Sequence, residues 1–283
     1  MTTAPIVQAD SFTSRTFHGN PAAVVPLEFW LDAGAMQAIA LENNLSETAF
    51  VVRGGRDGTD YHLRWFTPAR EVALCGHATL AAAHALMNHF GFRGDKVSFS
   101  TERAGILTVH KLTTGNLASG QPGRYRMDFP ATPREPVEVT TDLVRALGRQ
   151  PVEAFAAGEK LMAVFDSKKD VHAIEPDFAA IAALPHLGII CTAPGVGHDF
   201  VSRFFAPAAG VPEDPVTGSA HCVMAPYWAE RLGKSELTAH QVSQRGGEVH
   251  CKVEADRVHL TGACVTYLEG TIRIPAPEAE HAA

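Results

Sequence analysis

Residues 64–69 read Arg64-Trp65-Phe66-Thr67-Pro68-Ala69, and 139 residues later the chain repeats them as Arg203-Phe204-Phe205-Ala206-Pro207-Ala208. A turn follows each copy, and a glycine then opens an alanine-containing segment, at Gly76 and at Gly218, 142 residues apart. The same offset of 142 relates residues 103–105 to residues 245–247. Three matches in one order, separated by about half of the 283 residues, indicate a duplicated architecture rather than chance similarity of short apolar words.

Each half is predicted to place strands around one helix. Runs rich in Val, Phe and Thr, bounded by Gly, Pro or Asp, predict strands. They lie at residues 6–12, 22–26, 47–53, 61–66, 96–109 and 237–253, with a helix at 31–42. Residues 78–90 are apolar on almost every face, which predicts a buried helix. Its counterpart is 219–232, which stops at Gly233 and in which Pro226 predicts a kink.

These patterns predict two domains, 1–125 and 126–270, followed by a C-terminal strand or tail, 271–283. The Gly, Ser and Pro residues of the stretch 115–136 indicate the junction between the domains. Residues 275–283 are rich in Ala, Glu and Pro, and we expect them to fray.

Composition excludes several classes of protein. Hydrophobic residues make up 46% and charged residues 19%, so the chain is expected to fold rather than to be disordered. A net charge of −7 argues against nucleic-acid binding and against attraction to anionic lipid. No apolar run has the length of a membrane span, and no signal peptide is recognisable. The five cysteines are dispersed without a C-x-x-C pair, and we expect a cytoplasmic protein without a disulfide framework or zinc site.

The two repeated glycines are candidate substrate contacts. Each lies where a turn meets a helix start, and a helix N-terminus offers free N–H groups and partial positive charge to a carboxylate. The structural alternative is simple N-capping by Thr217 or Ser219. Titratable or polar residues flank both glycines: Cys75 and His77 beside the first, and Glu213, Asp214, Ser219 and His221 beside the second.

Cys75, His77 and Glu47 are the candidate acid–base groups. A cysteine at a helix N-terminus has a lowered pKa and would serve as a base, whereas a free cysteine is more commonly a buried apolar residue. His77 is either a general acid–base or a capping group. Glu47 stands at the head of an apolar strand, where burial would raise its pKa and fit it to carry a proton; the alternative is a solvated strand edge. The residue 142 positions further on is Ile189, so the repeat does not copy this carboxylate.

Other chemistries lack their motifs. The sequence has no dinucleotide-binding, P-loop, nucleophile-elbow or H-E-x-x-H pattern, and its 14 histidines are scattered without ligand spacing. A proton-transfer site without cofactor or metal is what the residues predict.

The chain resembles the PhzF-like family of phenazine biosynthesis. The motifs that carry the resemblance occur in family order: Phe17-His18-Gly19-Asn20-Pro21-Ala22-Ala23-Val24-Val25, Asn44-Leu45-Ser46-Glu47-Thr48-Ala49-Phe50, Phe66-Thr67-Pro68, Leu74-Cys75-Gly76-His77-Ala78-Thr79 and Glu213-Asp214-Pro215-Val216-Thr217-Gly218-Ser219-Ala220. The resemblance implies an α+β, diaminopimelate-epimerase-like fold. This fold has two pseudo-symmetric domains, each a curved mixed β-sheet wrapped around a central helix, with the site between them.

The resemblance also implies roles for residues. The family's phenazine-pathway member isomerises trans-2,3-dihydro-3-hydroxyanthranilate, and its catalytic groups match Glu47, His77 and Asp214. Asn20, Ser46, Gly76, Gly218 and Ser219 fall on its substrate-binding positions. The implied partner is a small carboxylated metabolite, and the implied assembly is a homodimer.

Two alternatives stay open at this point. Related racemases and epimerases use two facing cysteines, and this chain keeps only Cys75, because residues 214–217 carry no thiol. A one-thiol epimerase, with Cys75 opposed by Glu47 or Asp214, is the first alternative. The second is a binding protein that keeps the fold without turnover, although an intact carboxylate and histidine favour catalysis.

Overall fold

A computed structural model describes residues 2–113 and 121–274, and in it two halves share one order of strand pairing. The elements of the first half are β1 (Thr2–Ser11), β2 (Asn20–Leu27), α1 (Ala33–Asn43), β3 (Glu47–Arg53), β4 (Tyr61–Phe66), β5 (Glu71–Val72), α2 (Gly76–Asn88), β6 (Lys96–Ser100), β7 (Ile106–Thr113) and β8 (Gly123–Pro130). Those of the second half are β9 (Glu135–Val137), α3 (Thr141–Leu147), β10 (Glu153–Ala157), β11 (Lys160–Val164), α4 (Lys168–His172), α5 (Phe178–Ala182), β12 (Gly188–Pro194), β13 (Phe200–Phe205), α6 (Gly218–Leu232), β14 (Glu236–Gln241), β15 (Gly247–Glu254) and β16 (Arg257–Ile274).

The duplication inferred from sequence is visible in the sheet. In the first half β2 is parallel to β3, β3 antiparallel to β4, and β4 parallel to β6. In the second half β11, β12, β13 and β14 repeat the same three relationships. The helices α2 and α6 occupy equivalent places along the chain. α2 comes between β4 and β6, and α6 comes between β13 and β14. The α+β fold of two pseudo-symmetric, curved mixed sheets around central helices is therefore confirmed.

Both central helices are largely buried because most of their side chains are apolar. Every residue of α2 from Gly76 to Leu86 is buried, and alanine dominates the sequence, so the helix fits inside a strongly curved sheet. In α6 larger residues such as Met224 and Trp228 fill a wider space. One continuous apolar core contains residues from both helices, which couples the two halves.

Pro226 lies inside α6, which continues past it; the predicted kink stays a prediction. A proline inside a helix removes the N–H that would bond the carbonyl four residues earlier. Here that carbonyl belongs to Cys222, and it accepts a hydrogen bond from the backbone N–H of Thr132 at 3.0 Å. Because a neighbouring segment satisfies the freed acceptor, the helix continues to Leu232.

The last strand closes the first half. The N-terminal part of β16 lies between β8 and β15, and its C-terminal part pairs with β1 from Cys264 to Ile274. The sheet around α2 is thus a closed ring that begins with the first strand of the chain and ends with the last.

Two sequence-based expectations differ from the structure in detail, and a third stays untested. The stretch 115–136, predicted as a junction, contains β8 and reaches into β9, because its alternating residues pair between β7 and β16. Its residues 115–120, like the tail 275–283, lie outside the described part of the chain. The predicted boundary between the two domains, at residues 125 and 126, falls inside β8 and stays a prediction. The second half carries three short helices, α3 to α5, beyond its central helix. Within the described residues no helix is both long and apolar enough for a membrane crossing.

Candidate active site

Glu47 is the first residue of β3 and points into the junction between the halves. The parallel pairing of β3 with β2 sets Glu47 opposite Ala22, so its position is fixed by the sheet rather than by a loop. Its side chain is 13% exposed, and Oε2 lies 3.0 Å from Nε2 of His77. The alternative of a solvated strand edge is therefore excluded.

His77, the second residue of α2, lies between the carboxylate of Glu47 and two groups at its Nδ1. Its Nδ1 is 3.1 Å from the amide Nδ2 of Asn20 and 3.4 Å from Sγ of Cys75. Because Asn20 gives both amide hydrogens to acceptors in the second half, the thiol of Cys75 is the group that can donate to Nδ1, and Nε2 lies at ion-pair distance from Glu47. Burial lowers the pKa of His77, but the carboxylates of Glu47 and Asp214 raise it by more, so the net shift is upward.

Asn20 joins the two halves at this point. It is fully buried at the start of β2, and its Nδ2 donates to Oδ1 of Asp214 at 2.7 Å and to the carbonyl of Val216 at 2.9 Å. The other carboxylate oxygen of Asp214 accepts from the hydroxyl of Thr217. Burial raises the pKa of Asp214 to about 6, against the opposing charge of His77. A continuous set of polar contacts thus runs from Glu47 through His77 and Asn20 to Asp214.

The starts of α2 and α6 converge beside these groups. Gly76 and Gly218 are buried, and a Cβ placed on either would lie 3.6 Å from the Cα of the other. The residues that precede them, Cys75 and Thr217, make no side-chain capping bond to their helices. Two sets of first-turn N–H groups therefore face the junction without side-chain caps, which suits a bound carboxylate.

The remaining substrate-contact candidates lie at the margin of this cluster. Ser46 precedes Glu47 and Ser219 follows Gly218, and both are half-buried. Glu213 and His221, which also flank Gly218, make their contacts outside this cluster. Glu213 forms a two-pronged ion pair with Arg203, and His221 is fully buried with Nδ1 against the carbonyl of Thr217, where burial lowers its pKa to about 4.

Cys75 does not have the lowered pKa that its place before a helix predicts. It is 6% exposed, and burial, reinforced by the carboxylate of Glu47, raises the pKa of its thiol well above the usual value. Desolvation outweighs the helix dipole here, because the thiolate would lose its hydration next to an existing negative charge. The thiol and His77 do contact each other, although residues two positions apart need not.

Glu47, Cys75 and His77 also form a group of metal-ligand type, since their donor atoms lie within 4.8 Å of one another. The imidazole and the carboxylate lie within ion-pair distance of each other, and burial raises the pKa of the Cys75 thiol well above its usual value. This chemistry fits an acid–base pair better than a cation site.

Sequence reasoning missed two features that support the site: the contacts of Gln241 and the ion pair between Arg203 and Glu213. Gln241 at the end of β14 bonds the segment 214–217, and the pair Arg203–Glu213 braces the loop before it. The first half has the equivalent pair, Arg64–Glu71, at the same repeat offsets. Aligning the two halves residue by residue would have revealed both pairs; nothing in the sequence distinguishes Gln241 from other strand residues.

Comparison with known proteins agrees with this architecture. The chain matches the family of phenazine biosynthesis-like proteins, PhzC-PhzF, over residues 9–270. This chain belongs to that family. An uncharacterised isomerase of Pseudomonas aeruginosa is 50% identical over 267 residues, which cover 94% of this chain and 97% of the relative.

Solved structures extend the likeness from sequence to fold. A PhzF-family phenazine biosynthesis protein of Enterococcus faecalis is 41% identical, with a TM-score of 0.88 over 96% of this chain and 100% of its own. A probable proline racemase of Agrobacterium radiobacter is only 9% identical, yet it superposes with a TM-score of 0.63 over 98% of this chain and 94% of its own. The PhzC-PhzF chain therefore shares its fold with racemases.

Proposed function

We propose that this PhzC-PhzF protein is a cofactor-independent isomerase that relocates a proton on a small carboxylate-bearing substrate, with Glu47 as the acid–base group. One observation carries the proposal: Glu47 Oε2 lies 3.0 Å from Nε2 of His77, beside the meeting point of two uncapped helix starts. The relative named as an isomerase and the sequence resemblance to an anthranilate-type isomerase support the same reaction class.

The geometry divides the work between binding and chemistry. The N–H groups that begin α2 and α6 would hold the substrate carboxylate, and we expect Ser46 and Ser219, next to Glu47 and Gly218 in the chain, to contact the same substrate. Glu47 would then take a proton from a substrate carbon, becoming a carboxylic acid while the C–H electron pair enters the substrate's π-system. Returning that proton to a different carbon completes an isomerisation without net change in atoms or electrons.

His77 and Asp214 are the charged groups placed nearest the chemistry proposed for Glu47. Nε2 of His77 lies 3.0 Å from Oε2 of Glu47, which leaves Oε1 of the carboxylate for the substrate. Asp214 faces His77 through Asn20 and adds negative charge to a buried site. Such an arrangement keeps the carboxylate of Glu47 oriented for the proton transfer.

The one-thiol epimerase is less well supported. Its base would be the thiolate of Cys75, and the raised pKa of that thiol opposes thiolate formation at neutral pH. No feature of the site favours it over Glu47.

Solvent exchange tests the proposal. The protein is incubated in deuterated water with trans-2,3-dihydro-3-hydroxyanthranilate and a panel of unsaturated carboxylic acids, and deuterium incorporation is followed by NMR. We expect incorporation with at least one compound, and a loss of about 10²–10⁴ in rate for Glu47→Gln, since an amide cannot accept the proton. Full exchange by a folded Glu47→Gln variant, or none by the native protein with any compound, would contradict it.

A further inference from the structure

Gln241 is a fully buried polar residue whose whole carboxamide is spent on the loop that carries Asp214. Its Nε2 donates to the backbone carbonyl of Asp214 at 2.7 Å and to Oγ1 of Thr217 at 3.2 Å. Its Oε1 accepts from the backbone N–H of Thr217 at 2.9 Å. Both amide hydrogens and the carbonyl are engaged by this one segment, so the amide has a single satisfactory orientation.

This orientation determines where the hydroxyl proton of Thr217 points. The hydroxyl oxygen receives a hydrogen from Gln241 and has one proton of its own to give. The acceptor for that proton is Oδ2 of Asp214. Asn20 donates to Oδ1 at the same time, so both oxygens of the carboxylate are occupied by donors.

The arrangement matters because Asp214 is in a poor place for a charge. Burial and the neighbouring carboxylate of Glu47, from β3, favour its protonated form, whereas His77, from α2, favours the carboxylate. The buried thiol of Cys75 is a further titratable group that interacts with the charge of Asp214. The donors on the two carboxylate oxygens therefore favour the charged form of Asp214 over its protonated form.

We propose that Gln241 is a positioning residue of the active site: it directs the Thr217 hydroxyl onto Asp214 and fixes the loop 214–217 against Asn20 and His77. The proposal rests on the proposed function in so far as Asp214 takes part in the proton transfer. It explains why an uncharged residue that touches none of Glu47, Cys75 or His77 is buried with every polar atom committed to one loop.

Gln241→Glu tests the proposal with almost no change in shape. The new carboxylate would accept the Thr217 hydroxyl proton, so Asp214 would lose one donor and gain a negative neighbour. We expect the pKa of Asp214, followed by ¹³C NMR of labelled aspartate side chains, to rise by about one unit or more. The apparent pKa that Asp214 contributes to the pH profile of deuterium exchange should rise with it, giving about tenfold slower exchange on the affected limb.

Thr217→Val and Thr217→Ser form the matched pair. Valine removes the hydroxyl with little change in volume and should shift the pKa of Asp214 in the same direction as Gln241→Glu. Serine keeps the donor and should restore the native titration. A merely structural role predicts lower stability in the variants, with no systematic movement of the titration.

The outcomes separate this proposal from the proposed function. Folded Gln241→Glu and Thr217→Val variants that titrate like the native protein would overturn the role of Gln241, even if Glu47→Gln abolishes exchange. Absence of exchange in the native protein would remove the proposed function, while the NMR titration would still decide the role of Gln241. If Gln241→Glu does not fold, the Thr217 pair decides alone.

Discussion

Gly76 and Gly218 meet across the junction of the two halves, each presenting its Cα within 3.6 Å of the Cβ position of the other. The positive ends of two long helices therefore point into the same small space, where they would repel each other in the absence of negative charge. Glu47 and Asp214 supply that charge on the protein side. A substrate carboxylate would supply more, which is a physical reason for the site to bind anions.

Alanine at these glycines should reveal the closeness of the helix starts. Either single substitution places its methyl at an ordinary contact distance, and alanine is the better helix former, so Gly76→Ala and Gly218→Ala should each change the free energy of unfolding by less than about 1 kcal/mol. The double variant brings two methyls together and should lose about 1–3 kcal/mol more than the sum of the singles. Urea unfolding of all four proteins gives this coupling; additive effects would show that the helix starts move apart freely.

Cys75→Ser should leave deuterium exchange within about threefold of the native rate, because the thiol is held protonated and a hydroxyl can also donate to His77. The measurement is exchange on the best compound of the carboxylate panel, with Glu47→Gln assayed in parallel. A loss of 10²-fold or more in Cys75→Ser, with Glu47→Gln active, would instead support the epimerase.

Stability should depend on pH through Asp214. Its pKa is raised from 3.8 to about 6 by burial, so the folded protein binds this proton more tightly than the unfolded chain does. The resulting stabilisation is present below about pH 4 and is lost as the pH rises through about 6. Relative to Asp214→Asn, the native protein should lose about 1–3 kcal/mol of unfolding free energy across this window, measured by urea unfolding. Parallel pH curves for the two proteins would show that Asp214 has an ordinary pKa.

The two equivalent ion pairs should differ in importance. Arg203 bonds Glu213 and also donates to the carbonyls of Val171 and Ile174, whereas the guanidinium of Arg64 has Glu71 as its hydrogen-bond partner. Arg203→Met leaves a carboxylate and two carbonyls without their donor and should cost about 3 kcal/mol, against about 1 kcal/mol for Arg64→Met. Thermal or urea unfolding checks this order. Equal losses would mean that the two carbonyls find other donors.

The repeat made the fold readable from sequence. Nearly constant offsets, 139 between Arg64 and Arg203 and 142 between Gly76 and Gly218, predict equivalent strand and helix orders. The strands β3 and β4 begin and end where their residue patterns predict. The pairing of β3 with β2 places Glu47, the start of α2 places His77, and the loop before Gly218 places Asp214. Local sequence patterns were sufficient to predict the strands and helices that occur in both halves.

What the sequence did not predict depends on partners that are distant along the chain. Pro226 is tolerated because Thr132 supplies the missing donor, and no pattern around the proline encodes that contact. The thiol of Cys75 is governed by burial rather than by the helix dipole, and its burial follows from packing of the two halves. Gln241 looks like any strand residue until β14 sets it against the loop 214–217.

The closing role of β16 bears on how the protein is made. Thr2 pairs with Ile274, so the ring of strands around α2 lacks a member until Ile274 has left the ribosome. The N-terminal half, though it resembles an independent domain, would expose the edges of β1 and β8 throughout synthesis. Its folding has to wait for residues more than 250 positions away, which predicts slow, concerted folding and a dependence on chaperones that a simple tandem of two domains would not have.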